Sequence, residues 1–512
     1  MYVKIVINIV IYDYIIAGSG FGGLSAGLLL QQKNYKVLIL ESHVKSGGCA
    51  SDFKRISKLN PKGEFIFDVG ATTLSGLENG RPLDNFLKIT DLENKLKNKL
   101  IKQDTGILIH LPNGKKIFRY ADKVKWLNEV LKKFLTPDAD EKQKLNFNNF
   151  WDLIYKLESK AYLMTGKLKK FPPQKFKDLF KLPKNPKNLN LLYYLFTDTY
   201  KILKKYNLHQ NEDFMLFINQ QLLITFQSPP VKVPFLFASM GLAYPSDTYY
   251  MKGGIQKFSQ AIQDEFENKG GIIKFKHRVE KTDFENGLFK VKTSKGFYFS
   301  KNFISNITVW NTGDIVSDKK LKSHFEKIKK SYPDAWGAYT LYFAVEDNFE
   351  DFNTLYHQIH YKSQVTGNAS IFVSLSMKND FEKAPEGWRT ITISTHLSNP
   401  EKWKKMEKEE YIKNKKIFEN EKMELLNNSF VNFKNCEKKY KLSGSPKTFE
   451  FYTKRYNGFV GGIPSDISKN IFSFPSSFTP LKNFYMVGDS VFPGQGSPAV
   501  ILGAMNLTEL IS

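Results

Sequence analysis

Residues Tyr12–Ser42 read YDYIIAGSGFGGLSAGLLLQQKNYKVLILES, and the spacing of apolar residues changes twice within them. Tyr12 to Ala17 is a short apolar run that predicts a strand. Gly18, Gly20 and Gly23 then fit G-x-G-x-x-G, and Leu24, Leu28 and Leu29 give the next segment the apolar face of a helix. Val37 to Leu40 predicts a second strand, closed by Glu41. The glycines act differently: Gly18 permits a tight turn, Gly20 lets a pyrophosphate approach the backbone, and Gly23 lets the helix pack closely on the sheet. Free N–H groups and the helix dipole then attract phosphate, and a carboxylate at Glu41 suits the hydroxyls of an adenosine ribose. A glycine triplet alone is a weak signal. Strand, turn, helix, second strand and terminal acid in this order specify a dinucleotide site.

Beyond Glu41 and Ser42 comes SHVKSGGCASDFKR, with the pair Gly47 and Gly48. A glycine pair soon after the ribose acid looks like the FAD-binding fold of the glutathione-reductase type. Lys45 and Arg55 are read as counter-charges for phosphate or as solvated surface residues. Cys49 is read as buried and inert, because nothing nearby in the sequence lowers a thiol pKa.

A chain of 512 residues exceeds one simple core and implies two or more domains. Two cysteines exclude a disulfide scaffold and suit a reducing, cytoplasmic location. The net charge of +24 raises nucleic acid or an anionic membrane as partners, alongside a plain lysine bias. The chain holds no recognisable nucleic-acid module, so the expectation is no nucleic-acid partner. Residues 1–10 are apolar but too short and too interrupted by Lys4 for a membrane span, and read as an extension before the first strand.

From about Leu83 the character changes. GILIHLPNGKKIFRY predicts a hairpin turning at Pro112–Gly114, and a long helical region follows Pro137-Asp138 to about Met164. PPQKF and PKNPKN punctuate the chain, residues 187–225 look helical, and FQSPPVKVPF breaks it again. At MKGGIQKF the α/β alternation returns. GIIKFKHRV, GLFKVKTS and GFYFSKNFISNI are predicted strands, with Val279 placed to meet an adenine edge or to serve as plain core. Residues 320–449 leave that pattern, with two strand-like runs and a charged helix over NPEKWKKMEKEEYIKNKKIFENEKMELL. The expected fold is α/β: a glutathione-reductase-type FAD-binding Rossmann domain from residues 1–80, 250–320 and 450–512, with an interleaved α+β substrate domain from 81–249 and 321–449.

Far downstream, Val487–Gly503 reads VGDSVFPGQGSPAVILG: an acid after an apolar strand, then glycines and prolines, then an apolar helix. With FDVGATTLSG, MKGGIQKF and ISNITVWNT in the same order, it resembles the FAD-dependent carotenoid isomerase and phytoene desaturase family, within the amine-oxidase-like flavoproteins, whose pattern retinol saturases share. The resemblance spans nearly the whole chain, though its sharp motifs lie in the nucleotide segments. It implies that Asp489, after Gly488, binds the ribityl chain of FAD. It also implies that Gly494, Gln495, Gly496 and Pro498 lie against the isoalloxazine. Physics agrees: glycines let backbone approach a flat ring, and a helix N-terminus there favours negative charge on a reduced flavin. The expected cofactor-binding set is therefore Gly18, Gly20, Phe21, Gly22, Gly23, Glu41, Ser42, Gly47, Gly48, Val279, Gly488, Asp489, Gly494, Gln495, Gly496 and Pro498. Asp489→Ala is expected to lose flavin more readily than it unfolds the protein.

No catalytic side chain stands out, and polyene chemistry hardly needs one, because flavin can carry hydride or electrons itself. His357 and His360 in HQIH have metal-like spacing without a third ligand, so no metal is expected. The function implied is cis-to-trans isomerisation or desaturation of a carotenoid-like polyene. A retinol-saturase-like or amine-oxidase-like flavoenzyme and a non-catalytic flavoprotein are the alternatives. Such a substrate lives in a bilayer, so NLLYYLFTDTYKILKKYN and VPFLFASMGLAY are read either as interfacial segments or as core. On the first reading this cytoplasmic protein attaches peripherally to a membrane's inner face.

Overall fold

Segments far apart in the chain meet in one seven-stranded sheet. The computed structural model describes residues 10–57, 63–165, 172, 189–363, 367–469 and 473–512. The extension read at residues 1–10 and the breaks read at PPQKF and PKNPKN fall outside them, apart from Val10 and Pro172. In that sheet, strand Ile11–Ala17 runs parallel to Val37–Leu40 on one side and to Gly296–Ser305 on the other. Ile272–Lys274 extends the parallel ladder beyond Val37–Leu40, and Phe484–Met486 adds to the far half of Gly296–Ser305. The near half of Gly296–Ser305 continues antiparallel into Leu288–Thr293 and Val279–Glu285. Central strands such as Val37–Leu40 are buried along their whole length, which explains their unbroken apolar sequence. Helices Phe21–Gln32, Gln256–Asn268 and Ser497–Ile511 cover one face. Val309–Ile315 and Lys319–Ser331 cover the other.

A second seven-stranded sheet runs in the spatial order Lys438–Gly444, Gly337–Glu346, Trp388–Leu397, Gly367–Leu375, Tyr356–Ser363, Thr105–His110, Lys116–Tyr120. The last two form the hairpin expected around Pro112–Gly114. Strand alternation divides its residues cleanly. Tyr339, Leu341, Phe343, Ile391 and Ile393 pack with Trp403 and Phe418 on the outer face. Ala338, Thr340, Tyr342, Ser394 and His396 point the other way and line an internal cavity. Helices Glu141–Thr165, Glu212–Phe226 and Phe235–Ala243 pack below the Thr105–His110 end of this sheet.

Two element readings change. GIIKFKHRV is two strands rather than one, because Lys276 takes a left-handed φ of 59° and turns the chain between Ile272–Lys274 and Val279–Glu285. The charged helix is split at Met406, into Pro400–Lys405 and Lys408–Ser429.

Candidate cofactor and substrate site

A single cavity of about 1380 Å³ reaches from the glycine loop at Gly18 to the apolar wall below the second sheet. Small-molecule pockets usually hold roughly 300–1,000 Å³, so this one has room for two ligands in contact. Its first end is built by the N-terminus of helix Phe21–Gln32. Gly20, Phe21 and Gly22 line the cavity, and the first turn carries no acid to neutralise the dipole. Two glycines here are obligatory by packing. A Cβ at Gly23 would collide with the Gly18 carbonyl, and one at Gly22 would sit 2.7 Å from Asn306 Oδ1 and 3.0 Å from the Gly488 nitrogen. Gly47 N–H donates to the Ser19 carbonyl (2.9 Å) and bridges Gly20, so the Gly47–Gly48 turn braces the glycine loop.

Glu41 lies buried at the strand end, and both carboxylate oxygens are engaged. Oε2 accepts from Ser19 N–H (2.8 Å) and Ser19 Oγ (2.7 Å), while Oε1 accepts from His43 N–H (2.7 Å) and Ser42 Oγ (3.2 Å). The backbone carbonyl of Glu41 receives His277 N–H at 2.8 Å, which brings Val279 to the cavity edge. Lys45 pairs with Asp52 rather than standing free for phosphate, and Arg55 lies 5.3 Å over the Phe53 ring.

The distant segment completes this end. Gly488 packs against Asn306, and Gly496, Ser497 and Pro498 begin a second helix whose N-terminus faces the cavity, again without an acid in its first turn. Asp489 is held by Arg455 Nη2 at 2.7 Å, and Arg455 Nε also donates to the Phe459 carbonyl at 2.5 Å. Burial opposes the charge on Arg455, and the neighbouring Asp489 carboxylate more than offsets it, so the guanidinium pKa is raised. Cys49 lies beside this pair. It is half-buried and lines the cavity rather than lying buried as read from sequence, while withdrawal from water still pushes its thiol pKa up against a smaller opposing pull from Arg455. Gln495 also lines the cavity, but its amide donates to the Thr225 carbonyl, and its oxygen meets Gln227 Nε2 at 3.4 Å. Gln495 thereby ties the FPGQG turn to the C-terminal end of helix Glu212–Phe226.

Three residues on this surface carry no sequence signal of their own. Asn306 sits inside ISNITVWNT, and donates from Nδ2 to the Gly18 carbonyl at 3.3 Å. Arg455 reads as one more surface cation in a lysine-rich chain. His396 reads as a polar position in an alternating strand. The HQIH pair separates to opposite faces of strand Tyr356–Ser363. His357 Nε2 meets the Thr354 carbonyl at 3.0 Å, and its Nδ1 meets His110 Nε2 at 3.1 Å. A carbonyl only accepts, so His357 carries its proton on Nε2 and His110 donates to its Nδ1. Among the described residues no three His, Cys, Asp or Glu side chains cluster as metal ligands.

The wall opposite the glycine loops is apolar, with Ile107, Leu195, Ile224, Phe226, Phe237 and Phe372 facing inward. Helix Phe235–Ala243, one of the two segments read as interfacial, is mostly buried and contributes to this wall. The other begins beside the cavity, where Leu192, Tyr193 and Phe196 are 42%, 56% and 58% exposed and Phe196 also lines the cavity. Among the described residues no helix is long and apolar enough to cross a membrane.

Comparison with known proteins places this geometry. The NAD(P)-binding Rossmann-like domain family matches residues 16–90. The chain is 28% identical over 498 residues to the chloroplastic prolycopene isomerase of Daucus carota, covering 96% of this chain and 78% of the relative. It is 24% identical over 531 residues to a 4,4'-diapophytoene desaturase (4,4'-diapolycopene-forming) of Methylomonas, covering 97% and 94%. These relatives, alike over nearly the whole chain, are carotenoid isomerases and desaturases. An oxidoreductase from Methanosarcina mazei shares this fold, with a TM-score of 0.61 at 19% identity over 97% of this chain and 99% of that one.

Proposed function

We propose that this enzyme binds FAD across the two glycine segments and isomerises or desaturates a carotenoid-like polyene in the apolar half of the same cavity. In this proposal residues 1–80, 250–320 and 450–512 form the FAD-binding domain, and 81–249 with 321–449 the substrate-binding domain. The observation that carries it is the continuity of the cavity from two acid-free helix N-termini to a wall of aliphatic and aromatic side chains.

The residues present fit the dinucleotide. Gly22 leaves backbone open where a Cβ would strike Asn306, and the dipole at Gly20–Gly22 suits a pyrophosphate. Glu41 is the ribose acid of this proposal. Because four donors already fill its oxygens, a ribose diol replaces the Ser19 and Ser42 hydroxyls there, while the two backbone N–H bonds keep the carboxylate aimed. Asp489, fixed by Arg455, would accept a ribityl hydroxyl. Bound FAD would supply hydride or electron transfer. The chain's own contribution is alignment and exclusion of water. Phe226, Phe237 and Phe372 hold an extended hydrocarbon, and the second helix N-terminus at Ser497 favours negative charge beside it.

An amine substrate fits less well, since a cation needs a carboxylate next to it. Of the cavity's carboxylates, Asp52, Asp466 and Asp489 already face Lys45, Lys232 and Arg455, and Glu41 is filled by four donors. Attachment to an anionic membrane surface belongs to the proposal, through the exposed residues Leu192, Tyr193 and Phe196 with Lys201, Lys204 and Lys205 beside them.

The test is to incubate the flavin-loaded protein, oxidised or anaerobically reduced, with cis-lycopene, phytoene and retinol, and to separate the products. Turnover with reduced flavin and no mass change marks an isomerase. Loss of two hydrogens marks a desaturase, and gain of two a saturase. A purified protein without flavin absorbance would remove the proposal.

A further inference from the structure

Two imidazoles line the cavity. His43 sits beside Glu41 at the proposed nucleotide end, and His396 lies on the inner face of strand Trp388–Leu397, in the second sheet. Across the ladder, His396 is paired with Ala338, and the next inward pair on these strands is Ser394 with Thr340. Phe372 is the partner of Ser394 on the other side. The His396 ring packs on Trp336 with centroids 5.2 Å apart. Neither ring nitrogen has a hydrogen-bond partner among the described residues. The contrast with His357, whose two nitrogens are both bonded, is direct. Burial lowers the pKa of His396 to about 4, so the ring is neutral near pH 7, with one N–H donor and one acceptor nitrogen.

A pure hydrocarbon filling this cavity would cover that imidazole and leave both nitrogens unsatisfied. Such a group costs its full desolvation penalty, whereas a bonded one is close to neutral or favourable. Sites built around a polar group discriminate strongly for ligands that satisfy it. We infer that the polyene accepted here carries an oxygen, as an alcohol or a carbonyl, and that His396 with the neighbouring Ser394 hydroxyl binds it. This rests on the polyene reading above and narrows its substrate class. A neutral imidazole suits either oxygen type, since it donates from one nitrogen and accepts at the other.

The test uses matched probes in detergent micelles with the flavin-loaded protein. Retinol is compared with its deoxy analogue, in which the hydroxymethyl group is a methyl. 1-Hydroxylycopene is compared with lycopene. Binding is read from quenching of tryptophan fluorescence, independently of turnover. The expected result is a preference of about tenfold or more for the oxygenated member of at least one pair. His396→Leu erases that preference chiefly by improving hydrocarbon binding, and His396→Gln, which keeps a donor and an acceptor, retains part of it. Equal binding of both members by the unaltered protein, or a preference that survives His396→Leu at unchanged flavin content, would overturn the inference and leave the polyene reading standing. Failure of all four probes to bind removes both.

Discussion

Arg455 and Asp489 bind each other before they bind anything else. The pair is mostly withdrawn from solvent, with side chains 16% and 22% exposed, so removing one partner strands the other. Asp489→Ala is therefore expected to do two things: weaken flavin retention, and lower the melting temperature of the flavin-free protein. The second effect departs from the sequence-based expectation that flavin loss would dominate. The double variant Arg455→Met with Asp489→Leu separates the two, recovering much of the flavin-free stability while still failing to retain flavin. Thermal melts with and without added FAD read both. Acid sensitivity is also set residue by residue. Burial lowers the pKa of His110 to about 4 and of His360 to about 3, and drives His357 well below its ordinary value. Folded, these rings stay neutral. Unfolded, they titrate near 6.5, so below that pH the unfolded chain binds protons the folded chain refuses. Their stability contribution is full above pH 6.5 and is lost progressively as the pH falls toward 4. Urea midpoints should drop between pH 7 and pH 5, and His360→Leu, which removes an imidazole whose nitrogens are both unpartnered, should flatten that drop.

Where strand ends meet helix starts, the tolerances are tightest. Asn306 closes strand Gly296–Ser305 and touches both glycine segments at once, through Gly18 and Gly488. Gly22→Ala should push Asn306 aside and reduce flavin affinity, and adding Asn306→Ala should restore part of it; flavin fluorescence titration measures each. These junctions also show what the sequence makes legible. The glycine loop, the acid after the second strand and the FPGQG turn announce themselves, because backbone geometry admits few residue types there and the neighbours are local. Asn306, Arg455 and His396 do not. The Gly18 carbonyl that Asn306 meets lies 288 positions away, and the carboxylate Arg455 meets lies 34 positions away. An arginine turned inward looks, in one dimension, like one turned outward. The missed break at Met406–Glu407 and the turn inside GIIKFKHRV have a similar origin, since a single left-handed lysine or two extended residues leave the apolar pattern almost unchanged.

At the level of the whole molecule, charge and shape act together. The net charge of +24 is spread over many lysines, yet the exposed apolar residues Leu192, Tyr193 and Phe196 stand beside the cavity. Flotation with anionic vesicles should succeed at low salt and weaken as salt screens the lysines, on the scale of a Debye length of about 10 Å at 0.1 M. Replacing these three residues by serine should abolish flotation while leaving flavin content unchanged. Helix Ser497–Ile511 has a different reach. It packs against helix Phe21–Gln32, and Tyr14 Oη donates to the Ile511 carbonyl at 2.8 Å, across 497 positions. During synthesis, then, the glycine loop emerges long before the helix that backs it. At about 5–20 residues per second the ribosome needs roughly half a minute or more to deliver that partner. For that interval the nascent first strand and its helix carry uncovered apolar surface, and chaperone occupancy of stalled ribosome-bound chains should fall sharply only when an added linker after Ser512 is long enough to carry helix Ser497–Ile511 out of the exit tunnel.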